Sequence, residues 1–362
     1  MRLPRDFFGR ATAMTQERDT VAQLATRPRS LAGHDWVPHW ALAARRAELR
    51  AEASTEREPR IHATRQAAAY YSLAAYPALD DDDRLWAYAE ARRLYRAACA
   101  LEGAPAESIA VMFDAVVVPI YLRRPPGGAC RGAVLMLRGL DSTKEVTYWD
   151  ERAILARDLA IVSADCPGMG ENRCAMTTAS ERFYAAVLDA ALARLGASTL
   201  PVTAWGLGFG GYWAYRLAAI DPRVVGAISI GGPVHHAFRP GVLRIVRHLA
   251  EARFLQRIMR RALGPAYPGS VAGFVRQLSL VDTGALAALR SPLLYINGDR
   301  DIIVPRRDGE LIRSHAAAGD RRDVKIFEGT GHLASEVLAS HVLPFCLTWA
   351  SAIRPGAAAA TG

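Results

Sequence analysis

Lysine is nearly absent from this chain: of its 45 basic residues only Lys144 and Lys325 are lysines. The formal charge of +9 at pH 7 is therefore carried by arginine, spread in pairs such as Arg45-Arg46, Arg92-Arg93, Arg260-Arg261 and Arg321-Arg322. No basic stripe with interleaved aromatics appears, so the charge reads as a solvated surface, and we expect no nucleic-acid partner. Long apolar runs are also missing, none approaching the roughly 18 residues of a membrane span. The opening M-R-L-P-R-D-F-F-G-R carries charges without an apolar segment behind them, which leads us to expect no signal peptide, no membrane association and a cytoplasmic location. Five cysteines (Cys99, Cys130, Cys166, Cys174, Cys346) have neither C-x-x-C spacing nor a histidine ladder beside them. That excludes a recognisable disulfide framework or zinc site, and we expect neither metal nor organic cofactor.

What is present is enough for a large core: 362 residues, 51% of them hydrophobic. Residues 1–103 read as helical. The stretches beginning W-V-P-H-W and D-D-D-R-L-W place apolar residues three and four apart, the second with acidic residues at its start. We take this segment as an N-terminal helical cap subdomain, and the apolar faces of its helices suggest a homodimer. After G-A-P-A-E-S the texture changes. I-A-V-M-F-D-A-V-V-V-P-I-Y-L-R reads as two strands closed by a turn, and strand and helix patterns then alternate, with helices expected near 144–158 and 180–195. Continuous apolar strands separated by helices imply an α/β class with a mainly parallel sheet covered on both faces. Residues 104–233 and 288–354 form this core; residues 234–287 interrupt it with basic amphipathic helices, an inserted lid over the carboxyl ends of the strands, where such sheets bind ligands.

One stretch poses the functional question. A-W-G-L-G-F-G-G-Y-W (204–213) has the form of the sharp strand-to-helix turn G-x-S-x-G, but its central position is Gly208 rather than serine. Downstream, I-N-G-D-R-D-I-I-V-P follows a strand and offers Asp301, with Asp299 as the competing acid. E-G-T-G-H-L follows the last strand and offers His332. Elbow, acid and histidine thus occur in the order of a nucleophile, its orienting carboxylate and its base, with the nucleophile missing.

These residues, together with R-G-L-D-S-T-K-E (138–145) and D-C-P-G-M-G-E (165–171), resemble the α/β-hydrolase group that contains the FrsA-like proteins and 2,6-dihydropseudooxynicotine hydrolase. The resemblance spans roughly residues 105–350, and the helical N-terminus suits that group's cap. It implies the α/β-hydrolase fold and an oxyanion pocket built from the backbone N–H groups of Leu140 and Phe209. Backbone donors survive the loss of the serine. Lys144 and Glu145 read either as an ion pair holding the loop or as substrate contacts. Ser142 caps a helix or faces the pocket, and His235, His236 and Tyr212 are further candidate substrate contacts.

With Gly208 in place of the nucleophile no acyl-serine can form, but a His332–Asp301 pair remains a general base. Proton abstraction beside a carbonyl needs only that base and a pocket for the enolate oxygen. The expected chemistry is elimination on a small-molecule substrate, similar to that of the α/β-hydrolase-like enzymes that remove acetate from acetylated tetronates in bacterial polyketide biosynthesis. Hydrolysis of an ester or C–C bond by His332-activated water is the alternative, and a catalytically inactive ligand-binding homologue is the alternative of another class.

Overall fold

A computed structural model describes residues 6–26, 35–77, 81–147, 150–242, 252–317 and 320–353. Its N-terminal part carries the helices α1 (Phe7–Thr15), α2 (Arg18–Ala25), α3 (Trp36–Ala53), α4 (Arg57–Ala75) and α5 (Asp82–Leu101), with no strand among the described residues there. The acidic run before α5 supplies its cap, since the Asp81 carboxylate accepts the backbone N–H of Arg84 at 3.2 Å. Phe7 seats α1 on the other helices, its ring 5.5 Å from Trp36 and 5.7 Å from Trp40.

Eight strands follow: β1 (Glu107–Phe113), β2 (Val116–Arg123), β3 (Gly132–Leu137), β4 (Leu159–Ala164), β5 (Val202–Leu207), β6 (Val224–Ile230), β7 (Leu293–Gly298) and β8 (Arg322–Phe327). They form one sheet in the order β1-β2-β4-β3-β5-β6-β7-β8. β1 and β2 are an antiparallel hairpin whose two turn residues, Asp114 and Ala115, are both left-handed, which matches the twist of the flanking strands. From β4 to β8 every pairing is parallel. All six residues of β3, β5 and β7 are buried, the pattern of strands covered on both faces. The covering helices include α6 (Glu151–Leu155), α7 (Glu181–Leu195) and α8 (Phe209–Ile220).

The helix expected over 144–158 is only the short α6. Residues 143–147 turn irregularly instead, because the buried carboxylate of Asp165 takes both the backbone N–H of Lys144, at 2.7 Å, and its ammonium, at 2.9 Å. Between β6 and β7 lie a short 3-10 turn (His236–Phe238) and the helices Ala252–Leu263 and Val271–Arg276. Residues 243–251 of the expected lid, and the C-terminal stretch from 354, lie outside the described residues. The stretch His332–Ser351 is long and apolar enough to cross a membrane by composition. It is broken at Leu333 and Ala334 and packs half of itself into the protein.

A buried ion cluster ties the N-terminal helices to the sheet. Arg123 of β2 donates to Glu151 and to Glu102, both at 2.6 Å. Arg65 of α4 reaches Glu102 at 2.7 Å and Glu151 at 3.2 Å, and the Tyr95 hydroxyl of α5 donates to Glu151 at 2.8 Å. Every donor and acceptor is matched here, which is the condition for keeping such charges out of water.

Candidate active site

β5 ends and α8 begins at Gly208, whose φ of 53° and ψ of −124° put the chain into the strained turn. Glycine enters that conformation without the Cβ penalty. The strand and helix that flank the turn run so close that a Cβ on Gly206 would lie 2.2 Å from the carbonyl of Gly210. A Cβ built on Gly208 itself would meet no clash: its nearest neighbours are Nε2 of His332, at 3.8 Å, and the Leu333 side chain, at 4.0 Å. The elbow thus aims its empty side-chain direction at the histidine.

His332 lies just beyond β8, and its Nδ1 is hydrogen-bonded to Oδ2 of Asp301 at 2.7 Å. Asp301 also accepts the backbone N–H groups of Ile303, at 2.7 Å, and Val304, at 3.0 Å, and the side-chain amide of Asn297, at 2.7 Å. Asn297 in turn accepts the N–H of Leu333 at 3.1 Å, so one amide from the end of β7 holds both Asp301 and the backbone next to His332. The competing Asp299 is exposed and has no such role. Burial raises the cost of charge on Asp301, but the imidazole and the three N–H donors outweigh it and hold the carboxyl below its ordinary value. Burial likewise disfavours the charged imidazole, yet the Asp301 carboxylate wins and His332 titrates above the usual histidine value; Asp6 adds to that rise and Arg10 opposes it.

Gly208 and His332 face a cavity of about 350 Å³. Leu140 and Phe209 line it, as does Ser142. Phe209 opens α8, so its N–H has no acceptor within the helix and the positive end of the helix dipole points toward the cavity. Phe238, Met259 and Val275, from the segment between β6 and β7, form apolar wall opposite.

Other expected contacts stand elsewhere. Lys144 is fully buried away from the cavity, its ammonium 2.6 Å from Glu171, 2.9 Å from Asp165 and 3.3 Å from Glu145, so it and Glu145 hold the loop rather than line the pocket. Tyr212 lies one layer behind the wall, stacked on Phe209 at 5.4 Å and edge-on to Phe238 at 5.7 Å. His235 and His236 do not line the cavity either. Their loop is pinned by the buried Asp308, which accepts the N–H of Val234 at 2.9 Å and of His236 at 2.6 Å, and the His235 ring is drawn to the Ser279 hydroxyl at 2.7 Å.

Asp6, Arg10 and Tyr76, which bring charge and a hydroxyl to the cavity from the N-terminal helical part, were marked by no motif. Arg10 grips both oxygens of Asp141, at 2.6 and 3.3 Å, and Tyr76 donates to the same carboxylate at 3.1 Å. Burial alone would raise Asp141, but Arg10 and Tyr76 hold it below its ordinary value. In sequence these residues look like the polar side of an amphipathic helix and a helix-end tyrosine.

A mainly parallel sheet, a glycine elbow after the strand beside β3, and a histidine held by a carboxylate from the loop after β7 define an α/β-hydrolase fold. The family model for FrsA-like proteins, described as esterase FrsA-like, matches residues 10–330. The chain belongs to that family. Over 154 residues it is 34% identical to 2,6-dihydropseudooxynicotine hydrolase of Paenarthrobacter nicotinovorans, covering 42% of each chain. Over 266 residues it is 26% identical to Esterase FrsA of Vibrio cholerae serotype O1, covering 72% of this chain and 63% of that one. The matches thus span less than two thirds of these relatives' own length. Among solved structures, AbyA5 superposes with a TM-score of 0.76 at 22% identity, covering 95% of this chain and 93% of the other. The 2,6-dihydroxy-pseudo-oxynicotine hydrolase superposes with a TM-score of 0.74 at 23% identity, covering 96% and 95%. At these identities the structural likeness is one of fold.

Proposed function

We propose that this protein is a lyase that uses His332 as a general base, without covalent catalysis, to eliminate a carboxylate such as acetate from an acetylated tetronate or a related polyketide intermediate. The observation that carries the reading is the relation of Nε2 of His332 to Gly208: the base is oriented through Nδ1 by Asp301, while Nε2 faces a position that offers no hydroxyl to deprotonate. The proton it takes must then come from substrate or water. In the elimination, Nε2 removes a proton from the carbon beside a carbonyl. The electron pair moves into an enolate held by the N–H groups of Leu140 and Phe209, then forms the new C=C bond as the β-carbon–oxygen bond breaks and acetate leaves. The imidazolium returns its proton to the departing acetate or to water. An apolar cavity with this polar floor suits a largely hydrocarbon substrate with one activated carbonyl.

Hydrolysis by a His332-activated water is the second reading, favoured by the hydrolase and esterase names of the relatives. Mass spectrometry of an acetylated tetronate incubated with the protein separates the readings. Loss of acetic acid supports elimination, and recovery of the deacetylated alcohol favours hydrolysis. Saturable binding with no turnover would favour a ligand-binding role for the fold.

A further inference from the structure

The two catalytic loops are not held by the core alone. The loop that carries Leu140 (residues 138–142) has no helix or strand of its own. The loop that carries His332 passes through two left-handed non-glycine residues, Leu333 (φ 64°) and Ala334 (φ 48°). Such residues are strained and persist only where surrounding contacts over-determine them. Both loops meet α1.

We propose that consecutive residues of α1, Gly9 and Arg10, brace these loops at a fixed separation and so position the base relative to the oxyanion donor. Gly9 grips the histidine loop. A Cβ on it would fall 2.5 Å from the carbonyl oxygen and 2.6 Å from the carbonyl carbon of Ser335, both backbone atoms, so the helix rests directly on the chain three residues beyond His332. Arg10 grips the other loop through its two-pronged bond to Asp141, the neighbour of Leu140 in sequence. A planar guanidinium fixes a carboxylate in two directions where an ammonium fixes one contact, so the bond sets orientation as well as distance. Tyr76 adds a third tether on Asp141, and Phe7 anchors α1 between Trp36 and Trp40.

Because α1 closes over the cavity, its charges also face the base. Arg10 bonds Asp6 at 3.3 Å, and both are less than a tenth exposed. Among the described residues, the charged and titratable groups that share the cavity with His332 are Asp301, which holds its ring, Asp6 and Arg10 from the α1 end, Tyr76, and Arg138 and Asp141 from the loop after β3. Misplacement by about 1 Å between reacting groups can cost about a hundredfold in rate, so a brace of this kind acts on turnover more than on binding.

The proposal rests on the reading of His332 as base and Leu140 as donor, and its test keeps the two apart. Four variants are compared with wild type: Gly9→Ala, Arg10→Lys, Arg10→Gln and Asp6→Asn. Hydrogen exchange followed by mass spectrometry needs no substrate. Gly9→Ala and Arg10→Gln are expected to speed exchange at least tenfold in peptides covering residues 138–147 and 329–337. The His332 ring proton, assigned by its absence in His332→Gln, is expected to titrate lower in Asp6→Asn and higher in Arg10→Gln. With a turned-over substrate, Arg10→Lys should lower kcat at least tenfold while KM stays within threefold. Unchanged exchange in both loops together with an unshifted His332 titration would overturn the brace, whatever the substrate proves to be. Should Gly9→Ala fail to fold, loop exchange in Arg10→Gln, which leaves the helix backbone contact intact, decides the matter. Loss of the elimination reading with the exchange and titration changes intact would leave the brace standing.

Discussion

A Cβ placed on Gly208 lies 3.8 Å from Nε2 of His332. An elbow serine would therefore carry its hydroxyl into hydrogen-bond reach of a base that is already oriented. Gly208→Ser is expected to convert the protein into one labelled by a serine-reactive fluorophosphonate, while the wild type is not labelled. A residue with a Cβ at φ 53° is strained, so unfolding free energy should fall by about 1–3 kcal/mol. Labelling of the wild type at an elbow-independent residue would sink the premise of nucleophile-free chemistry.

His332→Ala should lower turnover by roughly two to four orders of magnitude, the typical worth of a positioned general base. Ligand affinity, measured by calorimetry, should stay near that of the wild type, because the apolar walls are untouched. Equal loss of affinity and turnover would mean that the ring serves binding rather than proton transfer.

In the proposed elimination the base works when neutral, and His332 titrates above the ordinary value of 6.5, so the acidic limb of kcat/KM should lie above pH 6.5. Asp301→Asn removes the main cause of that rise and should move the limb downward while lowering the rate sharply through loss of the tautomer. Stability follows with opposite signs for the two partners. The raised histidine contributes fully below its unfolded value and loses this as pH rises through the folded value. The depressed Asp301 contributes above its unfolded value of 3.8 and loses this as pH falls through its folded one. Denaturant midpoints across pH for wild type and Asp301→Asn measure both.

Glu151 sits at the centre of the buried cluster that joins α4, α5 and β2. Glu151→Gln leaves Arg65 and Arg123 sharing too little negative charge and should cost about 3–5 kcal/mol in urea unfolding. Arg152, whose bond to Glu58 is exposed, should tolerate alanine with little change in midpoint. Similar losses for both variants would argue against a special role for the buried cluster.

Ala272 lines the cavity from an exposed position on the helix Val271–Arg276. Ala272→Trp should narrow the entrance and raise KM at least tenfold for a large polyketide substrate, with an unchanged melting temperature. Unaltered KM would place substrate entry elsewhere.

The alternation of apolar strands and amphipathic helices was enough to specify the sheet, because burial on both faces leaves a continuous hydrophobic imprint on its inner strands β3, β5 and β7. The order of Gly208, Asp301 and His332 was equally legible, since each sits in a short loop directly after a strand and the fold brings those loops to one edge. Local pattern even favoured Asp301 over Asp299. It could not report encounters between distant segments. Asp6, Arg10 and Tyr76 meet Asp141 only when the N-terminal helices dock, across 131 residues in the case of Arg10, and an arginine on an amphipathic helix looks the same whether it faces solvent or a cavity. It offered Lys144 and Glu145 as an ion pair holding the loop but did not reveal Asp165 and Glu171 as further partners of that lysine, nor that Asp308 turns the His235–His236 loop aside or that Tyr212 lies behind Phe209. Periodicity determined which faces of the chain are buried; the tertiary structure decided which charged groups share the cavity, because that depends on how separately buried faces pack against one another.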